Sequence, residues 1–177
     1  MKITQYGFMG LVMLFTSMPL VAHATPMSSS QAPRQIAQNV PDHVRKMWEA
    51  MRHLRWCHNT IDADSGTNYG GFRDKAEVNI NSAREELEKA VEYYRVNVAH
   101  TSAPYNVPNV KLSDAAGPHW DHLRRIREGI RRLERTREIV SAEAGTEYGG
   151  HREKAAEHID HAIKHLHDAE DYFQKHK

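Results

Sequence analysis

Cysteine is almost missing from this chain: Cys57 is the only one in 177 residues. A single thiol closes no intramolecular disulfide, so stability has to come from packing. No Cys-x-x-Cys-His run occurs, which excludes covalent c-type haem. An excess of either charge is missing too, with 24 Lys and Arg against 23 Asp and Glu. A nucleic-acid binder carries a clear basic surplus, so no nucleic-acid partner is expected. Gly-x-Ser-x-Gly, a Walker loop, His-Glu-x-x-His and the dinucleotide fingerprint are all absent. With no nucleophile paired to a base, the chain reads as non-enzymatic.

Only one long apolar run is present, from Phe8 to Ala22. It follows the single Lys2, contains Gly10 and Pro19, and ends in Ala22-His23-Ala24. A short basic start, a short apolar core and a small-x-small end predict a secretory signal over 1–24, cleaved after Ala24. The run is too short for a good membrane span, so the mature chain is not expected to cross a membrane; an uncleaved N-terminal anchor is the alternative. The expected address is periplasmic or secreted. Loss of Lys2 leaves 23 basic and 23 acidic residues, and loss of His23 leaves twelve histidines. Residues 25–39 are polar, hold Pro26 and Pro33, and read as a flexible leader.

The remaining sequence repeats itself. Asn68-Tyr69-Gly70-Gly71-Phe72-Arg73-Asp74-Lys75-Ala76 matches Glu147-Tyr148-Gly149-Gly150-His151-Arg152-Glu153-Lys154-Ala155 at an offset of 79. The same offset pairs Leu54 with Leu133, Ile61 with Val140, Ile80 with Ile159, Leu87 with Leu166 and Tyr94 with Phe173, without a gap. Such self-similarity indicates one unit written twice. Each unit reads as helix, short loop, helix. Apolar residues recur three and four apart: Val44, Met47, Met51, Leu54, His58, Ile61 in one first helix, and Leu123, Ile126, Ile130, Leu133, Arg137, Val140 in the other. The second helices carry Ala76, Ile80, Ala83, Leu87, Ala90, Tyr94 and Ala155, Ile159, Ala162, Leu166, Ala169, Phe173. Alternation of Ala with larger residues lets helices approach closely.

Gly66 and Gly145 suit left-handed caps, and the Gly pairs 70–71 and 149–150 suit a tight turn or a close backbone approach. Short loops make the helices of each unit antiparallel. The predicted fold is all-α: two duplicated antiparallel hairpins, 40–96 and 118–177, packed as one four-helix bundle after a signal peptide. A linker over 97–117 joins them, and Pro118 suits the first position of the third helix. The alternative is that each hairpin closes against another chain, as in a homodimer.

The segment Tyr148-Gly149-Gly150-His151-Arg152, followed by Ala155, Ile159, Ala162 and Leu166, resembles small periplasmic helical-hairpin proteins of bacteria. The stretch His158-Ile159-Asp160-His161-Ala162-Ile163-Lys164-His165-Leu166-His167 is similar to the His-rich periplasmic small metal-binding protein family. That likeness spans the last helix, roughly 25 residues. It implies uptake of copper and other divalent ions. In the first unit, Phe72, Asn79, Ser82 and Glu86 stand where the second has His151, His158, His161 and His165.

Four constellations can carry chemistry. His151, His158, His161 and His165 fall within an arc of about 80° of one helix, and the spacings 158–161 and 161–165 let two imidazoles reach one Cu(II), Ni(II) or Zn(II) ion. The alternative is an amphipathic flank that happens to use histidine. His58 and Arg137 interrupt equivalent apolar seams. With both loops at one end of an up-down-up-down bundle, His58 is expected to meet His151 across the pseudo-axis, either as a ligand pair or as a wet end. Met47, Met51 and Cys57 suit Cu(I), or a methionine opposite a histidine suits non-covalent haem, but Met47 and Met51 sit squarely on the apolar stripe and core packing is the reading that wins. Seven arginines between Arg124 and Arg137 suit an anionic lipid or polyanion, or a salt-bridged surface. The leading expectation is an exported protein that binds divalent metal weakly through His58, His151, His158, His161 and His165, as a buffer or scavenger. The alternative is an envelope scaffold, interaction or holdase-like stress protein without metal.

Overall fold

The computed structural model describes residues 40–63, 67–102, 104–105, 121–142 and 147–176. The expected signal segment, the leader, Gly66, Gly145, Pro118 and most of the linker lie outside these residues. Four α-helices are present among the described residues: α1 Asp42–Asp62, α2 Phe72–Tyr93, α3 His122–Ala142 and α4 His151–Lys175. No strand occurs among the described residues, whose regular structure is all helical, as the 3.6-residue periodicity required. A five-residue π-helical turn, Tyr94–Val98, continues α2 slightly past the expected boundary at 96. No described helix is long and apolar enough to cross a membrane.

The helix starts follow from local chemistry. Asp121 caps α3: its Oδ1 accepts a 2.7 Å bond from the Arg124 backbone N–H, and α3 begins at His122. The starts of α2 and α4 are built alike. Phe72 N–H donates to Tyr69 O at 3.2 Å, and His151 N–H donates to Tyr148 O at 3.1 Å. The two central residues of each turn have positive φ: +63° and +76° at Gly70 and Gly71, +62° and +77° at Gly149 and Gly150. That is the left-handed turn for which glycine is the default.

Each helix packs against two others, α1 on α2 and α3, and α4 on α3 and α2, with α2 against α4 the most extensive contact. The helices form two layers, α1 with α3 and α2 with α4. Contacts at the two ends are reciprocal. Tyr69 meets Phe173 with ring centroids 5.6 Å apart, while Tyr148 meets Tyr94 at 6.0 Å. Phe72 meets Tyr172 at 6.4 Å, while His151 meets Tyr93 at 6.5 Å. His122 lies 5.8 Å from Phe173, and His43 lies 4.5 Å from Tyr94. In every case the offset of 79 carries each residue of one contact onto its counterpart in the other repeat: 69 with 148, 94 with 173, 72 with 151, 93 with 172 and 43 with 122.

The glycine turn of each helix pair therefore sits on the aromatic end of the other pair. The two turns lie at opposite ends, which corrects the expected up-down-up-down order to up-down-down-up. The physical reason is burial of the rings that end α2 and α4. Tyr93, Tyr94, Tyr172 and Phe173 each pack on the Tyr-Gly-Gly turn or the first helical residue of the opposite pair. All four adjacent helix pairs are consequently antiparallel, which sets opposite dipole ends side by side.

The core is continuous and alternates small with large. Ala76, Ile80, Ala83, Leu87 and Ala90 of α2 and Ala155, Ile159, Ala162, Leu166 and Ala169 of α4 are all buried. The expected seam of α1 is buried except at His58. Trp48, Ala50, Trp56 and Cys57 are buried as well, because α1 serves two neighbours and needs two apolar stripes.

Candidate functional site

Three of the five predicted ligands line one edge of α4, and that edge faces α2. His151 Nδ1 lies 2.7 Å from Glu86 Oε2 and His158 Nδ1 lies 3.2 Å from Asn79 Oδ1. Lys89 and His151 hold the Glu86 carboxyl down at about 2, chiefly through the hydrogen bond from Lys89. His165 Nδ1 is 3.8 Å from Asp168 Oδ2, within its own helix, and makes no hydrogen bond. Burial, with Lys75 close by, lowers the pKa of the His165 ring. His161 is exposed. His151 and His158 thus act as cross-helix partners of α2, two turns apart on α4. No group of three or more His, Cys, Asp or Glu side chains able to hold a metal ion occurs among the described residues.

His58 and His151 do not meet, contrary to the expected polar layer. His58 sits at the α1–α2 turn, close enough to Glu77 to act on its carboxyl. His151 touches Tyr93 and Glu86 at the other end. Arg137 does not complete such a layer either: it reaches outward to Asp160 of α4 at 3.0 Å. The separation follows from the reversed order of the second helix pair.

Met47, Met51 and Cys57 lie in the core, and the Cys57 thiol points at Gly129 O, 3.7 Å away. A Cβ at Gly129 would stand 3.3 Å from Leu166 Cδ1 and 3.4 Å from Ile61 Cδ1, so glycine lets α3 pack closely on α1 and α4.

The charges divide by layer. Helices α1 and α3 carry 11 basic and 6 acidic residues, a net +5. Helices α2 and α4 carry 8 basic and 12 acidic residues, a net −4. Some α3 arginines are neutralised at the seam between layers, as Arg127 is by Glu170 at 2.7 Å and Arg137 by Asp160. Others stay on the outer face of α1 and α3. The Arg132 guanidinium lies over the Trp56 ring, 3.7 Å from its centroid, and its Nε is 3.3 Å from Glu128 Oε1. Arg52, Arg55 and Arg135 are exposed and make no ion pair among the described residues.

Between them sits His53. Its Nε2 is 3.9 Å from Glu49 Oε1 and its buried Nδ1 has no hydrogen-bond partner. Burial lowers its pKa first; Glu49 opposes this, and Arg132, Arg52 and Arg135 reinforce it. Sequence reasoning passed over His53. The available signal was the offset of 79, which exchanges His53 for Arg132 and Trp56 for Arg135.

No protein-family model, curated protein or solved structure matches this chain.

Proposed function

We propose that the chain is an exported, non-catalytic binding protein. In this reading residues 1–24 direct export and are removed. The two sequence-related helix pairs descend from one unit and close on each other as a four-helix bundle. The α1–α3 layer docks on anionic phospholipid. The observation that supports this reading is the division of charge between layers in a chain that is nearly neutral overall. A neutral protein gains nothing from bulk attraction, but one layer of net positive charge orients it on a negative surface. Each cation near such a surface contributes about 1 kcal/mol.

Sedimentation with vesicles tests it. At low salt, retention on vesicles that include phosphatidylglycerol is expected to exceed that on pure phosphatidylcholine by roughly tenfold or more. The excess should vanish near 0.5 M salt, where the screening length is only about 4 Å. Equal retention on both lipids would refute the reading.

A second reading retains metal, supported by His161 and His165. These lie one helical turn apart, and the second has a ring nitrogen without a hydrogen bond. Two imidazoles at that spacing hold copper, nickel or zinc weakly, as a buffer, with other ligands from solvent. Calorimetry with each ion is expected to give micromolar-range binding that weakens about tenfold in His161→Ala/His165→Ala. Identical heats from the two proteins would end this reading.

A further inference from the structure

We propose that the centre of the α1–α3 face is a binding site for a phosphate-bearing anion, held by Arg52, Arg132, Arg135 and the imidazole of His53. The proposal rests on the reading of that layer as the working face and adds a specific place and chemistry to it.

Four observations converge there. Arg132 is positioned in advance: its guanidinium is stacked on the buried Trp56 ring and tethered through Nε, which leaves its outer N–H groups to receive an oxyanion. Arg52 and Arg135 flank it without acidic partners among the described residues. His53 offers its Nε2, which lies 3.9 Å from Glu49 Oε1, too far for a hydrogen bond, while its buried Nδ1 has no partner. The carboxylates nearby do not neutralise the group. Glu128 is already shared between Arg131, at 2.5 Å, and Arg132, and Glu49 lies 3.9 Å from His53.

Tetrahedral phosphate suits this set, since guanidinium forks bind two of its oxygens at once and a neighbouring imidazole can donate to a third. A carboxylate ligand would leave one of the cations unmatched. The groups facing His53 are Glu49 and Arg52 on its own helix and Arg132 and Arg135 across on α3. Burial first, and then the three cations against the opposing Glu49, favour the neutral ring. A bound dianion reverses that balance, so binding takes up a proton at His53.

The test follows the His53 ring by proton NMR against pH, with and without inorganic phosphate, on the full mature chain. Saturating phosphate is expected to raise the midpoint of the ring signal by roughly half a pH unit or more. Phosphate affinity should fall about tenfold in Arg52→Ala/Arg135→Ala, which changes only exposed side chains. It should hold in Lys154→Ala/Lys164→Ala, which removes the same charge from the opposite layer. Competition by phosphatidic acid vesicles identifies a lipid headgroup as the source, and its absence identifies free phosphate; the site stands in both cases. An unmoved midpoint, or equal losses in the two double variants, overturns the site. If vesicle retention survives that result, the layer reading stands without the site. If the wild-type protein ignores anionic vesicles as well, both fall.

Discussion

Gly149→Ala is expected to destabilise the protein by roughly 3 kcal/mol, while Gly150→Ala one residue on costs only about half as much. Both glycines have positive φ, +62° and +77°, so both variants pay the left-handed penalty of about 1–2 kcal/mol. Only Gly149 lies under a ring. A Cβ there would stand 2.6 Å from Tyr93 Cδ2, whereas nothing lies within 4 Å of one at Gly150. Tyr93 cannot swing away freely, because its ring also meets His151. Gly70 and Gly71 should behave in the same unequal way, since Gly70 is covered by Tyr172 at 2.8 Å and Gly71 is open. Urea unfolding measures the difference, and heating should register it as a drop of several degrees in Tm. Equal losses at 149 and 150 would show that the aromatic end of α2 does not sit on the second turn.

Cys57 is expected to label with iodoacetamide roughly a thousandfold more slowly in the native protein than in the unfolded chain at pH 8. Burial pushes its pKa up from 9.0 to about 12, with Glu128 adding to the rise and Arg132 opposing it. The reactive thiolate is therefore scarcer by about three powers of ten, before any steric protection. The same shift ties stability to alkaline pH. Below pH 9 the thiol is protonated in both states and its contribution is intact. Between pH 9 and about 12 the unfolded chain gives up the proton while the native protein keeps it. Stability then falls by up to about 1.4 kcal/mol per pH unit. Cys57→Ala should remove that part of the alkaline slope. Native labelling at the rate of a small free thiol would contradict the buried position.

The fold was legible where periodicity carries the information. The seams Val44–Ile61 and Ala76–Ala90 repeat every three or four residues, and such a stripe has one way to escape water. The glycine pairs were legible for a different reason: two adjacent glycines before a helix offer a backbone path that other residues rarely take. The relative direction of the two helix pairs was not legible. Either order buries the same stripes, and the choice rests on which surface covers Tyr93 and Tyr172, a contact between residues far apart in the chain. The surroundings of the candidate site were not legible for the same reason. Spacing along α4 put four imidazoles within one arc, but it says nothing of Asn79 and Glu86 across the seam, which engage His158 and His151. The second apolar stripe of α1 was hidden because Trp48 and Trp56 are interleaved with Arg52, Arg55 and His53, so the helix reads as amphipathic to one side only.

The up-down-down-up order sets a minimum length for the connection. α2 ends beside Tyr148 and α3 begins beside Phe173, at opposite ends of helices of 21 to 25 residues. That distance is roughly 32 Å at 1.5 Å per residue. An extended chain covers it in about ten residues. The segment between Val98 and His122 holds more than twenty, so about half of it is dispensable for closure within one molecule. Below about ten residues the second half could no longer reach its seat, and two molecules would complete each other by exchanging halves.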